Sequence, residues 1–134
     1  MRKIHLETRH RSEMVDITAP AAREIAESGI KNGICILFVP HTTAGITINE
    51  NTDPAVQSDI QGVLTRLVPA GAGYSHLEGN ADSHTKASLI GSSIQVIVER
   101  GRLQMGTWQG IYFCEFDGPR NRQVWISLTP SALN

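Results

Sequence analysis

Residues 33–40, GICILFVP, form an unbroken apolar run in the first third of the chain. The run is short and contains Ile, Val and Phe, which favour β-structure, so it predicts a buried central strand. A second strand is predicted in residues 46–50, ITINE, and the polar segment 41–45, HTTAG, lies between the two. His41 follows Pro40 at the end of the first strand, so we expect its side chain to project from a rigid support.

The other elements are predicted from hydrophobic periodicity and from capping and turn residues. The predicted strands cover residues 3–9, 13–18, 94–99, 103–116 and 122–129, and the predicted helices cover residues 18–29, 52–68 and 83–89. Strands and helices are mixed without strict βαβ alternation. We therefore predict an α+β fold for residues 1–134, a single domain in which a mixed, mostly antiparallel β-sheet has a few helices packed on it.

The second predicted helix has the strongest signal in the chain. Asp53 and Pro54 provide a capping residue and a proline at the first turn. Apolar residues follow at helical spacing, and we expect this stripe to face the core. The stripe consists of Val56, Ile60, Val63, Leu64 and Leu67.

Composition limits the classes of partner. Of the 134 residues 40% are hydrophobic and 19% are charged, as in ordinary soluble domains. The formal net charge of −1 gives no general attraction to nucleic acid or to an anionic membrane. No apolar run approaches the roughly 18 residues of a membrane span, and no signal-peptide core is visible, so we expect a cytoplasmic protein. Cys35 and Cys114 lie in apolar runs without a CxxC spacing, which predicts two buried thiols.

Three of the five histidines are candidates for a site. His5 and His10 are expected on a solvated strand face and in a turn, whereas His41 ends a strand and His76 and His84 lie in the polar segment YSHLEGNADSHTK. Three imidazoles leave an open coordination position on zinc, as catalytic zinc sites require. The spacing alone leaves two interpretations open, a shared metal site or independent polar loop histidines.

Asp82 precedes His84 by two residues. In an extended segment the two side chains share a side, so the carboxylate can orient the imidazole or accept a proton. The alternative is an Asx turn or an N-cap for the short helix that follows, for which Ser83 is also a candidate N-cap.

Further polar residues are candidates for substrate contacts. Hydroxyl groups after a buried strand can hold an oxyanion, cationic side chains can meet a phosphate, and an exposed indole can stack on an aromatic ring. Glu50 and Asn51 end the ITINE strand, and we expect them beside His41. The candidate substrate-binding residues are Thr42, Thr43, Asn51, Lys86, Trp108, Gln109 and Arg120. No Walker A or GxGxxG pattern is present.

Three stretches together resemble one known family. HTTAGITINEN at 41–51, EGNADSHTKASLIGSS at 78–93 and GRLQMGTWQGIYFCEFDGPRNR at 101–122 occur in the order and at the separations typical of the YjbQ-like family. That family is largely uncharacterised and is described as a secondary thiamine-phosphate synthase. The resemblance runs from about residue 3 to residue 127.

The resemblance implies a compact α+β protein that assembles as a homotrimer. It places the family's histidine motifs on His41, His76 and His84 as metal ligands, and its Asp-x-His pair on Asp82 and His84 as catalytic residues. The implied reaction joins a pyrimidine diphosphate to a thiazole phosphate and releases pyrophosphate. A zinc-like divalent metal suits the histidines, while magnesium suits the diphosphate.

Two other functions remain open at this point. One is a metal-dependent hydrolase of a small anionic metabolite, with Glu50 or Asp82 as the base. The other is a non-enzymatic module that binds a phosphorylated metabolite. In each case the expected partner is a small phosphorylated molecule, not nucleic acid or a membrane.

Overall fold

The computed structural model describes residues 1–132, in which eight β-strands and three α-helices are found. The strands are β1 (Arg2–Glu7), β2 (Glu13–Asp16), β3 (Gly33–Phe38), β4 (Ala44–Glu50), β5 (Ser93–Glu99), β6 (Arg102–Gln104), β7 (Gln109–Glu115) and β8 (Asn121–Pro130). The helices are α1 (Thr18–Ser28), α2 (Pro54–Leu67) and α3 (Ala81–Ile90). The α+β prediction is confirmed. None of the described helices is both long and apolar enough to cross a membrane.

The strands form two antiparallel sheets. The larger has the order β1-β8-β3-β5-β6 and the smaller has the order β2-β7-β4. The strand predicted from GICILFVP lies at the centre of the larger sheet, between β8 and β5. Only one of its faces is covered, because Cys35 and Leu37 are fully buried while Ile34 and Phe38 are exposed on the other side.

The main core lies between the inner faces of the two sheets and α1. Its largest side chains include Leu37, Ile46, Phe113 and Ile126, and α1 contributes Ile25. A strand puts alternate residues on opposite faces, so the apolar residues of the two sheets meet in this layer. The helix α1 ends at Gly29, which adopts φ 76° and so takes the left-handed conformation that favours glycine.

Both predicted buried thiols are confirmed. Cys35 and Cys114 are free and buried. Burial raises the pKa of Cys35 to about 11 and that of Cys114 to about 12, because the thiolate is poorly solvated there. Both side chains therefore stay protonated and act as small hydrophobic groups.

The prediction that the α2 stripe faces the core is wrong for this structure. No residue of α2 is buried, and Val63 and Leu67 are 43% and 69% exposed. The predicted start is confirmed, since Asp53 Oδ1 accepts a hydrogen bond from the backbone N–H of Ala55. Helical periodicity put the apolar residues on one face, but it did not specify what covers that face. Leu64 alone packs against a small second cluster that includes Tyr112.

The pairing of β4 with β7 determines which loops share one end of the smaller sheet. Ala44 pairs with Glu115, and Glu50 pairs with Gln109. A strand of this length spans about 20 Å. The HTTAG segment therefore lies at one end of the sheet, and the Trp108 turn lies at the other.

Candidate active site

A cleft lies where His41 leaves the larger sheet and meets α3. We call it the histidine cleft and define it by His41, Thr42, Thr43, His84, Arg120 and Arg122, which line a cavity of about 370 Å³. A second cavity of about 500 Å³ also borders His41, Thr42 and His84 and extends along α3 to Gly91. All of the six defining residues except Arg122 were predicted from the sequence as substrate contacts or ligands, and Thr43 is buried at the cleft wall.

The tautomer of His41 is fixed by the neighbouring strand. Its Nε2 accepts a hydrogen bond from the backbone N–H of Gln123 at 2.9 Å. A neutral imidazole carries one proton, so that proton lies on Nδ1. Desolvation, with the positive charge of Arg122, lowers the pKa of His41 despite the opposing effects of the Gln123 hydrogen bond and Glu115. His41 is thus a neutral hydrogen-bond donor near pH 7.

The other two predicted ligands contact each other. The rings of His76 and His84 meet edge to face, with centroids 5.1 Å apart. His76 Nε2 also lies 3.6 Å from Glu78 Oε2, a pair that is charged only when the histidine is protonated. His84 is half-buried on α3, whereas His76 lies on the exposed loop before it. The structure therefore brings the three predicted histidines to one region of the surface.

Their arrangement does not fit a three-ligand metal centre. Within residues 1–132 no group of three His, Cys, Asp or Glu side chains is placed to hold a metal ion. Coordination of His41 through Nδ1 requires the proton to move to Nε2, which faces the Gln123 N–H. The zinc-like or magnesium cofactor stays a prediction.

A buried ion pair supports the wall of the cleft. Glu115 is fully buried and accepts hydrogen bonds from Arg122 through Nε at 2.9 Å and also through Nη2. Thr8 donates its hydroxyl to the same carboxylate at 2.6 Å. Arg122 Nη2 also donates to Thr43 Oγ1 at 2.9 Å. This network ties β1, β7 and β8 to the HTTAG segment.

Sequence reasoning missed Arg122, Glu115 and Arg11 as site residues. A signal was present for the first two, because a charged residue inside the apolar run IYFCEF requires a partner when it is buried. Arg122, the second arginine of DGPRNR, is such a partner. Arg11 gave no signal, since it lies in a polar turn far from α3 in sequence.

Asp82 is fully buried at the start of α3, between two cations. Arg11 binds it in a bidentate manner through Nη1 at 3.2 Å and Nη2 at 3.0 Å, and Lys86 Nζ lies 3.1 Å from Oδ2. Desolvation raises the pKa of Asp82, but the hydrogen bonds and charges of Arg11 and Lys86 outweigh it, so the net pKa is lowered. Neither Asp82 nor Lys86 lines the cavities around His41.

The predicted capping alternatives for Asp82 and Ser83 are wrong. The helix begins at Ala81, so both residues lie inside its first turn, and Asn80 is the N-cap without a side-chain capping bond. Ser83 Oγ instead donates to the carbonyl of Phe116 at 2.5 Å. Asp82 therefore positions α3, and through it His84, by ion pairing. Its predicted catalytic role and the substrate-binding role of Lys86 stay predictions.

Arg120 is the most exposed cation of the cleft. Its Nε donates to the Asp117 carbonyl at 2.7 Å, and its Nη2 lies 2.9 Å from Asp117 Oδ2. Asn80 donates to the same carboxylate at 2.8 Å, while its Oδ1 is buried without a hydrogen-bond partner among residues 1–132. Burial raises the pKa of Asp117, but the bonds from Asn80 and Arg120 outweigh this effect and lower it overall. The Arg120 guanidinium retains unused donors for a phosphate.

The expectation that Glu50 and Asn51 lie beside His41 is wrong within one chain. His41 precedes the start of β4 and Glu50 ends it, so they lie at opposite ends of a strand about 20 Å long. Asn51 instead donates its backbone N–H to the Trp108 carbonyl at 2.9 Å. Trp108 is 60% exposed, and Gln109 Oε1 accepts the N–H of Gly106 at 2.8 Å. These four predicted residues form a separate group.

The family follows from a comparison with known proteins. The model of the family "UPF0047 protein YjbQ-like" matches residues 2–131. The chain belongs to the YjbQ-like family. The UPF0047 protein MJ1081 of Methanocaldococcus jannaschii is 50% identical over 126 residues, which cover 94% of this chain and 91% of the relative. The UPF0047 protein YugU of Bacillus subtilis is 47% identical, covering 96% of this chain and 98% of the relative.

Solved structures of YjbQ-like proteins have the same fold. A protein of the YjbQ/UPF0047 family from Clostridium acetobutylicum superposes with a TM-score of 0.94 at 49% identity, covering 96% of this chain and all of that one. A protein from Sulfolobus solfataricus, described as being of unknown function, superposes with a TM-score of 0.92 at 34% identity, covering 97% of this chain and 96% of that one. The predicted family and fold are both confirmed.

Proposed function

We propose that this YjbQ-like protein is an enzyme that acts on a small phosphorylated metabolite bound in the histidine cleft. The observation that supports this function is the set of donors around one cavity: two imidazoles, two threonines and two guanidinium groups. Such donors match phosphate oxygens, and fixed donors stabilise charge that develops on a leaving phosphate or pyrophosphate.

The ion-pair networks in and next to the cleft contain one more cation than carboxylates. The buried and half-buried networks contain four cations and three carboxylates. The cations are Arg11, Lys86, Arg120 and Arg122, and the carboxylates are Asp82, Glu115 and Asp117. Glu78 also borders the cleft and offsets this excess, so the proposal of an anionic ligand rests on the donor groups of the cavity wall and not on net charge.

The proposed reaction is the one that the family resemblance implies. A pyrimidine diphosphate and a thiazole phosphate combine, and pyrophosphate leaves. We propose that His41, as a neutral donor, and Arg120 hold phosphate oxygens, while His84, whose ring has no hydrogen-bond partner among residues 1–132, donates a proton to the departing pyrophosphate. In this chain alone, Trp108 is too remote from the cleft to stack on the pyrimidine.

Replacing His84 with Ala is expected to reduce kcat/KM for pyrophosphate formation by about 100-fold or more, since general acid–base groups contribute about 10²–10⁴-fold. The measurement is pyrophosphate release from the two phosphorylated substrates, with and without added magnesium. Titration calorimetry with inorganic pyrophosphate measures binding separately.

His10→Ala is the matched control, because His10 is exposed in the turn between β1 and β2 and does not line the histidine cleft. We expect it to retain wild-type turnover. Equal activity of His84→Ala and wild type contradicts the proposed role of His84. Tight pyrophosphate binding without product favours a binding module, and phosphate release from single esters favours a hydrolase.

The cofactor and the homotrimer stay predictions that the resemblance implies. Because the Gln123 backbone N–H donates to His41 Nε2, His41 is poorly placed to coordinate a metal. We therefore expect His41→Ala to leave the metal content of the purified, untagged protein unchanged. Elemental analysis of both proteins makes this measurement. A near-stoichiometric transition metal that is lost in His41→Ala contradicts the expectation and establishes His41 as a ligand.

A further inference from the structure

A second groove lies at the other end of the larger sheet from the histidine cleft. It runs between one side of α1, from Thr18 to Gly29, and the hairpin of β5 and β6, with a cavity volume of about 540 Å³. Ser93 pairs with Phe38 near His41, whereas Val98 pairs with Gly33 at the groove end, about 17 Å away. The groove shares no lining residue with the cavities around His41. Its volume is within the range of small-molecule sites, about 300–1,000 Å³.

The floor of the groove is apolar. Ala22 and Ala26 lie one turn apart on α1 and are exposed. Ile30, Leu103 and Met105 are half-buried and complete the floor, packing against the main core. The small alanine side chains keep the groove open toward solvent.

The rim of the groove is cationic. Lys31, Arg100 and Arg102 line it, and none of them forms an ion pair with another residue in 1–132. By contrast, Arg11, Lys86, Arg120 and Arg122 are each paired with a carboxylate. Glu99 precedes the turn and is exposed, but it does not line the cavity.

Arg100 occupies an unfavourable backbone position. It has φ 53° and Gly101 has φ 73°, so the two residues form a tight turn with positive φ at both positions. Asn or Gly is preferred at the first position, since a longer L-residue is strained there. The turn is fixed in place, because Arg100 N–H donates to Asn32 Oδ1 at 3.1 Å and Gly101 N–H donates to the Lys31 carbonyl at 2.8 Å. These bonds hold Lys31 and Arg100 side by side.

We propose that this groove binds an amphipathic anion, a small molecule with an apolar body and a carboxylate, sulfonate or phosphate head. The apolar body lies on Ala22, Ala26 and Leu103, and the head meets the unpaired cations at the rim. Backbone strain that a different residue would avoid is often kept at ligand sites. In this proposal, contact of the Arg100 guanidinium with the anionic head offsets the strain at φ 53°.

The first test is a fluorescence titration of the full chain with anilinonaphthalene sulfonate, which has both an aromatic body and an anionic head. Arg100→Gly and Arg102→Gln are each expected to weaken binding at least about tenfold, as the loss of a charge-assisted hydrogen bond predicts. Glycine accepts φ 53° without strain, so Arg100→Gly should keep or raise the wild-type Tm. Retained stability separates a binding effect from misfolding.

Matched controls identify the groove as the binding surface. Arg66→Gln removes an exposed charge on α2 that has no ion-pair partner within residues 1–132, and it should bind the probe like wild type. Ala26→Glu places a charge in the groove, whereas Leu67→Glu places the same side chain on the exposed stripe of α2. The proposal expects only Ala26→Glu to abolish binding. If Leu67→Glu abolishes binding and Ala26→Glu does not, the probe binds α2 and the proposal is overturned.

Competition defines the ligand class. Octanoate should displace the probe at lower concentration than octanol or inorganic phosphate, because only octanoate has both parts. Displacement by phosphate as effective as by octanoate overturns the amphipathic site. Because the groove and the histidine cleft share no residue, either result leaves the proposed reaction to its own test.

Discussion

Arg122→Met is expected to lower the free energy of unfolding by about 3–5 kcal/mol, because it leaves the carboxylate of Glu115 buried without a cation. Glu115 has no exposed surface and keeps only the Thr8 hydroxyl and the backbone N–H groups of Phe116 and Asp117 as donors within residues 1–132. Urea-induced unfolding at pH 7 gives the measurement. The loss is large against the roughly 5–15 kcal/mol that keeps a typical domain folded.

The double variant Glu115→Met with Arg122→Met provides the control. Replacing both members of a buried pair with apolar groups is often close to neutral, so we expect the double variant to be more stable than Arg122→Met alone. Arg23→Met, on the exposed surface of α1, should change stability by no more than about 0.5 kcal/mol. A single variant within about 1 kcal/mol of wild type would show that the pair is not needed.

Removing Arg122 is also expected to affect the histidine cleft. Arg122 also donates to the hydroxyl of Thr43, so its removal takes away one of the bonds that hold the HTTAG segment at the cleft wall. The double variant Glu115→Met with Arg122→Met also lacks the bond from Arg122 to Thr43. Recovered stability in the double variant without recovered pyrophosphate binding would therefore assign Arg122 a role in the cleft beyond its contribution to folding.

Asp82→Asn is the second large expected effect, a loss of about 3–5 kcal/mol at pH 7. The amide cannot neutralise Lys86, whose ammonium group stays almost completely buried. Lys86→Met should cost less, because Asp82 keeps its bidentate partner Arg11. The expected order of stability is therefore wild type, then Lys86→Met, then Asp82→Asn, and the same unfolding experiment measures it.

Comparing the activity of these variants with their stability also tests the catalytic role predicted for Asp82. If Asp82 positions α3, activity and stability fall together, and the double variant Asp82→Leu with Lys86→Leu recovers much of both. If Asp82 is instead the general base, Asp82→Asn loses turnover while its unfolding curve matches that of wild type. The second result would contradict the positioning role of Asp82.

The lowered pKa of Asp82 makes the stability of the folded protein depend on pH. An unfolded aspartate has a pKa of about 3.9. The stabilisation that ionised Asp82 gives to the folded protein is fully present above the pKa of the unfolded state. It is lost as the pH falls through the pKa of Asp82 in the folded state, which is lower. Thermal unfolding at several pH values below about 4 should show a smaller loss of Tm in the double variant Asp82→Leu with Lys86→Leu than in wild type. The pKa of Asp117 is lowered as well, so both proteins are expected to lose some stability at low pH, and the smaller loss in the double variant is the part assigned to Asp82.

The secondary structure could be predicted because its signals are local. The apolar run before His41 identified the central strand, and the Asp53 cap and Pro54 identified the start of α2. Both confirmed elements depend on side-chain type and spacing within a short segment. The local prediction for the start of α3 failed where a tertiary contact competed, since Ser83 bonds to Phe116 instead of capping the helix.

The candidate site was predictable only in part. His41, His76 and His84 do lie in one region, but strand register separates Glu50 and Trp108 from them. Adjacent motifs in the sequence can lie at opposite ends of one strand, because each residue advances the chain by about 3.3 Å. Of the two partners of Asp82, Lys86 is local, four residues along the same helix, but Arg11 was not predictable, since it is 71 residues away in the chain.

The family, the α+β class and the central position of β3 could all be inferred from the amino-acid sequence, because motif order, propensity and periodicity act along the chain. Three outcomes instead required the packing of distant segments: no residue of the α2 stripe becomes fully buried, Arg11 pairs with Asp82 across 71 residues, and His41 accepts a hydrogen bond from the Gln123 backbone. Their free energies come from burial and pairing across the fold, which no single segment contains.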